Sequence, residues 1–285
     1  MSVLLATCVA LPGGEPGAPT LDAALAARGV DARWVAWDDP SVDWDDADLV
    51  AVRSTWDYVE RYDDFLAWAR GLDQSRLLNG ADVFDWNHDK RYLVDLDGLP
   101  VVPTRLAASS DEFAAAIADF GRTVVKPRVS AGGAGLIVVD DPADERLGVT
   151  IRSHPSYPPV PGPWITQPLV ESIRTSGESS VFVLGGRVCS QVDKWPTGDE
   201  VRVHEEFGGV SCPVPPGKAT SALALRAVDV LGARFRRQLD YARVDILRHG
   251  GQWVISELEL IEPGLYLDVV PANADRFADL VHSRL

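Results

Sequence analysis

Tyr241-Ala242-Arg243-Val244-Asp245-Ile246-Leu247 and Gln252-Trp253-Val254-Ile255-Ser256-Glu257-Leu258 read as two β-strands joined through His249-Gly250-Gly251, with Glu259 next in line. Side chains alternate across a strand, so Arg243 and Asp245 share a face, as do Glu257 and Glu259, while Val244, Val254 and Leu258 point the other way. Three carboxylates then converge beside a guanidinium. Either water covers them, as on an exposed acidic hairpin, or they hold a hard divalent ion such as Mg²⁺ through oxygen ligands. Register separates the two readings. Asp245 and Glu257 share a face only if paired residue numbers sum to an even number, whereas a two-residue Gly250-Gly251 turn pairs His249 with Gln252, an odd sum. A metal site therefore predicts a three-residue turn or a β-bulge between these strands.

Upstream, a second strand ends in Val124-Val125-Lys126-Pro127 and is followed by Ser130-Ala131-Gly132-Gly133-Ala134-Gly135. Glycine-rich backbone can curl its N–H groups around phosphate oxygens, and a neighbouring lysine adds a point charge for the same anion. The plainer reading is a turn between strands with a lysine reaching to solvent. The phosphate-loop, dinucleotide, zincin and nucleophile-elbow signatures are absent from the chain.

Around these stretches the chain alternates. Val3–Ala6, Arg33–Trp37 and Leu49–Arg53 read as strands, with a helix from Thr20 to Gly29 and another over Tyr62–Arg70, which implies a mostly parallel sheet with helical crossovers. The acidic run from Asp38 to Asp48 reads as a solvated connection holding one buried tryptophan, Trp44. Asn79–Trp86 reads as an irregular junction and Lys90–Asp97 as a short helix. Ser109 with Glu112 forms a capping box ahead of the next helix. Pro155–Pro163 reads as a linker or rigid loop. Trp164–Val170, Ser179–Leu184 and Arg187–Val192 follow as strands, Gly185-Gly186 being a hairpin turn, and Ser221–Leu239 as a long helix with Leu225, Val228, Leu231 and Phe235 on its apolar face. Three lobes result, over residues 1–85, 86–163 and 164–285.

The 285 residues, 46% hydrophobic and 24% charged, suit a globular chain with a substantial core. With 42 acidic against 27 basic side chains and a net charge of -15, nucleic acid is a poor principal partner. Cys8, Cys189 and Cys212 are odd in number and far apart, which fits a reducing cytoplasm better than a disulfide framework. Met1–Ala10 suits a buried first strand better than a secretory signal, and no apolar run is long enough to span a membrane.

Several blocks recur together in chain order: Asn87-His88-Asp89-Lys90, Val125-Lys126-Pro127 with its glycine loop, Gln167-Pro168-Leu169-Val170, Gly177-Glu178-Ser179, Arg202-Val203-His204 before Gly208-Gly209, Tyr241 to Asp245, and Glu257 to Pro263. This combination resembles the ATP-grasp superfamily of carboxylate–amine ligases over nearly the whole chain. Arg53-Ser54-Thr55-Trp56-Asp57-Tyr58, Trp86-Asn87 and the Glu257–Pro263 run are most similar to its D-cycloserine-forming branch. The resemblance implies an α/β fold of three lobes, a parallel-sheet lobe before two α+β grasping lobes. It implies ATP and Mg²⁺ as cofactors. Lys90 and Lys126 would touch the α- and β-phosphates, and Ser130, Gly132, Gly133 and Gly135 would belong to a loop closing over the triphosphate. Gln167, Pro168, Leu169 and Val170 would meet the adenine, and Glu178 the ribose. Asp245, Glu257 and Glu259 would hold Mg²⁺, although many relatives carry asparagine at the third position. Arg243 would face the reacting carboxylate.

Arg202 sits on a loop that in such enzymes reaches the γ- or acyl phosphate; an exposed arginine without a role is the competing reading. His204 reads as a substrate contact or a surface histidine. Arg53 to Tyr58 follow a buried strand, where open α/β sheets bind ligands, yet Trp56 and Tyr58 suit the core equally. The implied activity is activation of an amino-acid carboxylate as an acyl phosphate for attack by an amine. The favoured form is ring closure of an O-ureido-D-serine-like molecule to D-cycloserine. Alternatives are ligation of two amino acids, or a nucleotide-binding regulatory module without turnover. The expected partner is a small molecule, with no nucleic acid or membrane, and a homodimer is the default oligomer.

Overall fold

The computed structural model describes residues 1–151 and 159–285, so the expected Pro155–Pro163 loop falls partly outside the described residues. The first segment holds β1 (Ser2–Thr7), α1 (Ala18–Ala27), β2 (Asp31–Ala36), β3 (Leu49–Ser54) and α2 (Tyr62–Gly71). Its sheet has the order β2-β1-β3, and both pairings are parallel. Gly17, at φ 81°, starts α1 with a proline in its first turn, so Thr20 lies inside the helix and does not cap it. Residues expected to form an irregular junction instead fold as α3 (Ala81–Asn87), whose apolar Ala81, Val83 and Phe84 are buried.

The middle segment holds β4 (Arg105–Ala107), α4 (Ser110–Phe120), β5 (Thr123–Pro127), β6 (Ile137–Val139), β7 (Thr150–Ile151), β8 (Val160–Pro161) and β9 (Trp164–Pro168). Ser109 caps α4 as its spacing predicts, and the Glu112 carboxylate accepts the Ala108 N–H at 2.7 Å. The strand order β4-β9-β5-β6 corrects the expected boundary at 163: β9 pairs antiparallel with β4 and β5 and completes this sheet rather than opening the next lobe. It ends at Pro168, leaving Leu169 and Val170 as the connection onward.

After α5 (Ile173–Ser176) come β10 (Glu178–Leu184), β11 (Arg187–Trp195), β12 (Val210–Val214), α6 (Lys218–Phe235), β13 (Tyr241–His249), β14 (Gln252–Glu259) and α7 (Ala272–Arg284). The five strands form one antiparallel sheet, β12-β11-β10-β13-β14. Sequence reasoning stopped at Pro263 and missed α7. Its Ala274, Phe277, Ala278 and Val281 recur at helical spacing and pack with Leu21 and Leu25 of α1 and Val3 and Leu5 of β1. The two outer segments therefore share cores, whereas Ala107, Phe113, Ile117, Val125, Ile137, Val139, Ile151 and Trp164 form a separate core in the middle one.

Asn79 pins the outer segments together. At φ 61°, its side chain donates to Tyr241 O (2.9 Å) and Leu260 O (2.8 Å) and accepts from Asp240 N (2.8 Å), while its own N–H donates to Asp240 Oδ2 at 2.7 Å. Asn87 repeats the device at the far end of α3, donating to Leu258 O and accepting from Leu260 N.

Candidate active site

The β13–β14 hairpin carries the predicted irregularity. His249 pairs with Gln252 across a two-residue turn in which Gly250 and Gly251 both have positive φ. Register then shifts, so Ile246 faces Ile255 but Asp245 faces Glu257 and Arg243 faces Glu259. Ser256 is the extra residue of the bulge, and its hydroxyl donates to Glu178 Oε2 at 2.9 Å. The bulge thus turns all three carboxylates toward one cavity of ≈ 700 Å³ between the segments.

Cations arrive from three directions. Lys90, in a short 3₁₀ turn after α3, donates to Ser130 O at 2.6 Å and stands 3.1 Å from Glu257 Oε1, linking the glycine loop to the acidic hairpin. Lys126 projects from β5 into the same cavity; burial lowers its pKa against the pull of Glu257. Lys194, from β11, was not singled out in the sequence. It lies opposite Glu178 in register, 2.7 Å from Glu178 Oε1 and 3.8 Å from Asp245 Oδ2. Counting back from the Gly185-Gly186 turn would have placed Asp193 there, but a second bulge, after Phe182, moves the lysine into place.

Arg243 bridges the acids, donating from Nε to Asp245 Oδ1 (3.0 Å), from Nη2 to Asp245 Oδ2 (2.9 Å), and also to Glu259. Burial raises the Asp245 pKa, yet Arg243 and Lys194 override it and hold this carboxyl well below the usual range. Glu257 is likewise lowered, because Lys90 and Lys126 outweigh its burial. Glu259 moves the other way, to about 7, since burial and the charges of Asp245 and Glu257 outweigh Arg243. Glu262, left out of the site by sequence reasoning, lines the cavity and is pushed up to about 8 by burial and by Glu259, although the Tyr58 hydroxyl donates to it.

Among the described residues no three acidic, histidine or cysteine side chains are grouped closely enough to hold a metal ion by themselves, and Lys90 and Arg243 pair with Glu257, Asp245 and Glu259. The donor chemistry still fits Mg²⁺, which takes one or two carboxylates together with phosphate oxygens rather than a full protein cage.

Of the expected nucleotide contacts, Lys90, Lys126, Ser130, Gly132, Gly133, Gln167, Pro168, Leu169, Val170 and Glu178 all line the cavity. Gly135 does not: at φ 74° it makes a tight turn where a Cβ would lie 2.6 Å from Pro127 Cγ. Arg202 and His204 also line it. The Arg202 guanidinium lies over the Phe207 ring at 3.6 Å, Nη2 binds Glu200, and Nη1 is buried without a partner among the described residues. A Cβ on Gly133 would sit 3.1 Å from Arg202 Cδ, so the two loops meet over the cavity.

The expected substrate segment divides. Trp56, 38% exposed, and Tyr58 reach the wall, but Arg53, Ser54, Thr55 and Asp57 do not. Arg53 is wholly buried, giving Nη2 to Glu15 Oε1 and Pro263 O, both at 2.7 Å, above the Phe277 ring. Ser54 bonds Thr7, and Asp57 accepts from Trp37 Nε1 and Arg61. Arg53 instead holds Glu15, which does line the cavity and accepts the Leu265 N–H at 2.6 Å. No local motif marked that contact across 38 residues of chain.

A sheet-borne lysine, a glycine loop and an acidic hairpin facing one cleft define a nucleotide-dependent ligase of the ATP-grasp class, and comparison bears this out. The N-terminal domain family described as D-cycloserine synthetase DcsG matches residues 3–79. The cycloserine biosynthesis protein DcsG of Streptomyces lavendulae is 30% identical over 301 aligned residues, covering 99% of this chain and 98% of that protein. The crystal structure of D-cycloserine synthetase DcsG superposes with a TM-score of 0.81 at 26% identity, over 100% of this chain and 99% of that one. The ATP-grasp ligase PsnB, solved with its minimal precursor, Mg and ADP, shares the fold at a TM-score of 0.65 and 15% identity, covering 99% and 97% of the two chains. The chain belongs to the DcsG family of ATP-grasp ligases and is an ATP-dependent ligase. Among the described residues no helix is long and apolar enough to cross a membrane.

Proposed function

We propose that this enzyme spends ATP to activate the carboxylate of an O-ureido-D-serine-like amino acid and closes a ring on the oxygen-bound ureido nitrogen of the same molecule, giving a product such as D-cycloserine in antibiotic biosynthesis once that nitrogen sheds its carbamoyl group, which water takes to carbon dioxide and ammonia. The observation that carries the chemistry is Lys90, bound at once to the glycine loop and to Glu257, with Lys126 beside it. Ring closure, rather than joining two molecules, is supported by full-length likeness to the DcsG protein.

In this reading Lys90 and Lys126 take the α- and β-phosphates, the Ser130–Gly133 loop covers the triphosphate, Gln167–Val170 meet the adenine and Glu178 the ribose. Asp245, Glu257 and Glu259 would hold Mg²⁺, which neutralises charge on the transferring phosphoryl group. The unpartnered Nη1 of Arg202 suits a γ-phosphate oxygen. Arg243, fixed by two carboxylates, keeps its guanidinium in place for the oxyanion as the nitrogen attacks the acyl phosphate and phosphate leaves. The chain needs no nucleophile of its own; positioning and exclusion of water carry the rate. A reducing cytoplasm suits this role and the three free cysteines.

The test is ADP release with O-ureido-D-serine, product mass, and Lys126→Ala. Turnover falls by two orders of magnitude or more, ~10²-fold at least for loss of one preorganised charge, while the circular dichroism spectrum is retained. Full activity in the variant would place the phosphates elsewhere, and a product with the mass of a condensed pair would replace ring closure by intermolecular ligation.

A further inference from the structure

The charges of the cavity are matched unevenly. Toward the triphosphate end, Glu257 faces Lys90, Glu178 faces Lys194, and Asp245 faces Arg243. Toward the first segment, Glu15 is answered by buried Arg53 and Glu259 by Arg243. Glu262 lines the same wall and has no ion-pair partner among the described residues. Arg243 and Arg53 act on it through space, and the neutral Tyr58 hydroxyl donates a hydrogen bond to it. Tyr58 is itself 6% exposed, so the carboxylate is held at a fixed place.

We propose that Glu262, positioned by Tyr58, receives the α-ammonium group of the amino-acid substrate while Arg243 receives its carboxylate. This rests on the reading of an amino-acid substrate given above. With no ion-pair partner among the described residues, the half-buried Glu262 carboxyl is held in its charged form when a cation meets it, and an ammonium on the ligand supplies that cation. The two ends of an α-amino acid are one carbon apart, and their receptors must be neighbours. Arg243 and Glu262 meet that condition, since Arg243 pairs with Glu259 and both are close enough to Glu262 to act on its charge. Trp56 and Tyr266 line the same cavity, with the Arg243 guanidinium 5.9 Å from the centre of the Tyr266 ring.

The experiment compares O-ureido-D-serine with 3-(ureidooxy)propanoate, which lacks the amine, in wild type, Glu262→Gln and Tyr58→Phe. Wild type prefers the amino acid in kcat/KM by roughly 10- to 100-fold, the usual value of a charge-assisted hydrogen bond. Glu262→Gln loses that preference through KM for the amino acid, with KM for ATP unchanged, and Tyr58→Phe loses part of it. Equal loss for both substrates in Glu262→Gln, or an undiminished preference, overturns the assignment. If wild type releases no ADP with O-ureido-D-serine, the substrate reading fails by itself. Calorimetric binding of D-serine against 3-hydroxypropanoate then decides the ammonium site: tighter binding of D-serine that Glu262→Gln abolishes supports it, and absence of discrimination in wild type overturns it.

Discussion

Replacing Lys194 by methionine isolates the cation that ties the two central strands of the third segment to the acids of the site. Methionine keeps an unbranched stem of similar reach and removes the charge. Deleting one partner of a buried ion pair costs about 3–5 kcal/mol, because the remaining charge is stranded. Here Glu178 keeps the Ser256 hydroxyl and Asp245 keeps Arg243 and Ser180, so the lower end, about 3 kcal/mol, applies. Burial works against the Lys194 ammonium, yet Asp245 and Glu178 hold its pKa above the ordinary lysine value. A raised folded pKa means that this stability is present in full below the unfolded pKa of about 10.4 and is lost as pH rises through the folded value. Asp245 is held low, so its share is present above about pH 3.9 and fades as pH falls through its folded value. Urea unfolding should therefore show a deficit that is level from about pH 5 to 9 and shrinks on either side. In a Glu178→Gln background the deficit should be smaller, since the two residues are coupled. A deficit below about 0.5 kcal/mol at pH 7, the size of an ordinary surface substitution, would refute the reasoning.

Two further perturbations reach the parts that hold the site. Asn79→Ala strips the buried Tyr241 and Leu260 carbonyls and the Asp240 N–H of their partner, and at about 1 kcal/mol for each hydrogen bond the urea midpoint should report a loss of about 3 kcal/mol; an unchanged midpoint would mean these groups find other partners. Burial lowers the His88 pKa, against the Asp85 carbonyl and the charges of Asp89 and Asp85 that favour its protonation. The unfolded chain then binds the proton more readily, so stability is full above about pH 6.5 and declines as pH falls. Melting temperatures from pH 8 to 5 should fall more steeply in wild type than in His88→Gln; equal slopes would contradict the assignment.

What the sequence disclosed is what local rules determine. If the acids share a face, the parity of residue numbers around Gly250-Gly251 calls for a three-residue turn or a bulge, and a bulge lies at Ser256. Alternation on β13 and β14 placed Arg243, Asp245, Glu257 and Glu259 on one wall, and the glycine loop lies beside Lys126. What stayed hidden depends on contacts distant in sequence. Arg53 looked like a ligand residue because it follows a strand, but Glu15 and Pro263 draw it inward. Lys194 needed the register of a bulged hairpin, and α3 lacked a capping residue, its N-cap being Gly80 with no side-chain bond. The helix α7 is legible in the spacing of Ala274, Phe277, Ala278 and Val281, although Pro271 before it offers no capping side chain.

That last helix returns the end of the chain to its beginning. Arg28, just past the end of α1, reaches Asp275 (3.2 Å) and Asp279 (2.7 Å), and Phe277 lies under Arg53. Beginning and end thus form one anvil carrying Glu15, Tyr58, Arg243 and Glu262, while the middle third, with its own core, holds Lys126 and the glycine loop against it. On the proposed reading, the groups assigned to an amino acid thus stand on a body that is complete without the part carrying the glycine loop.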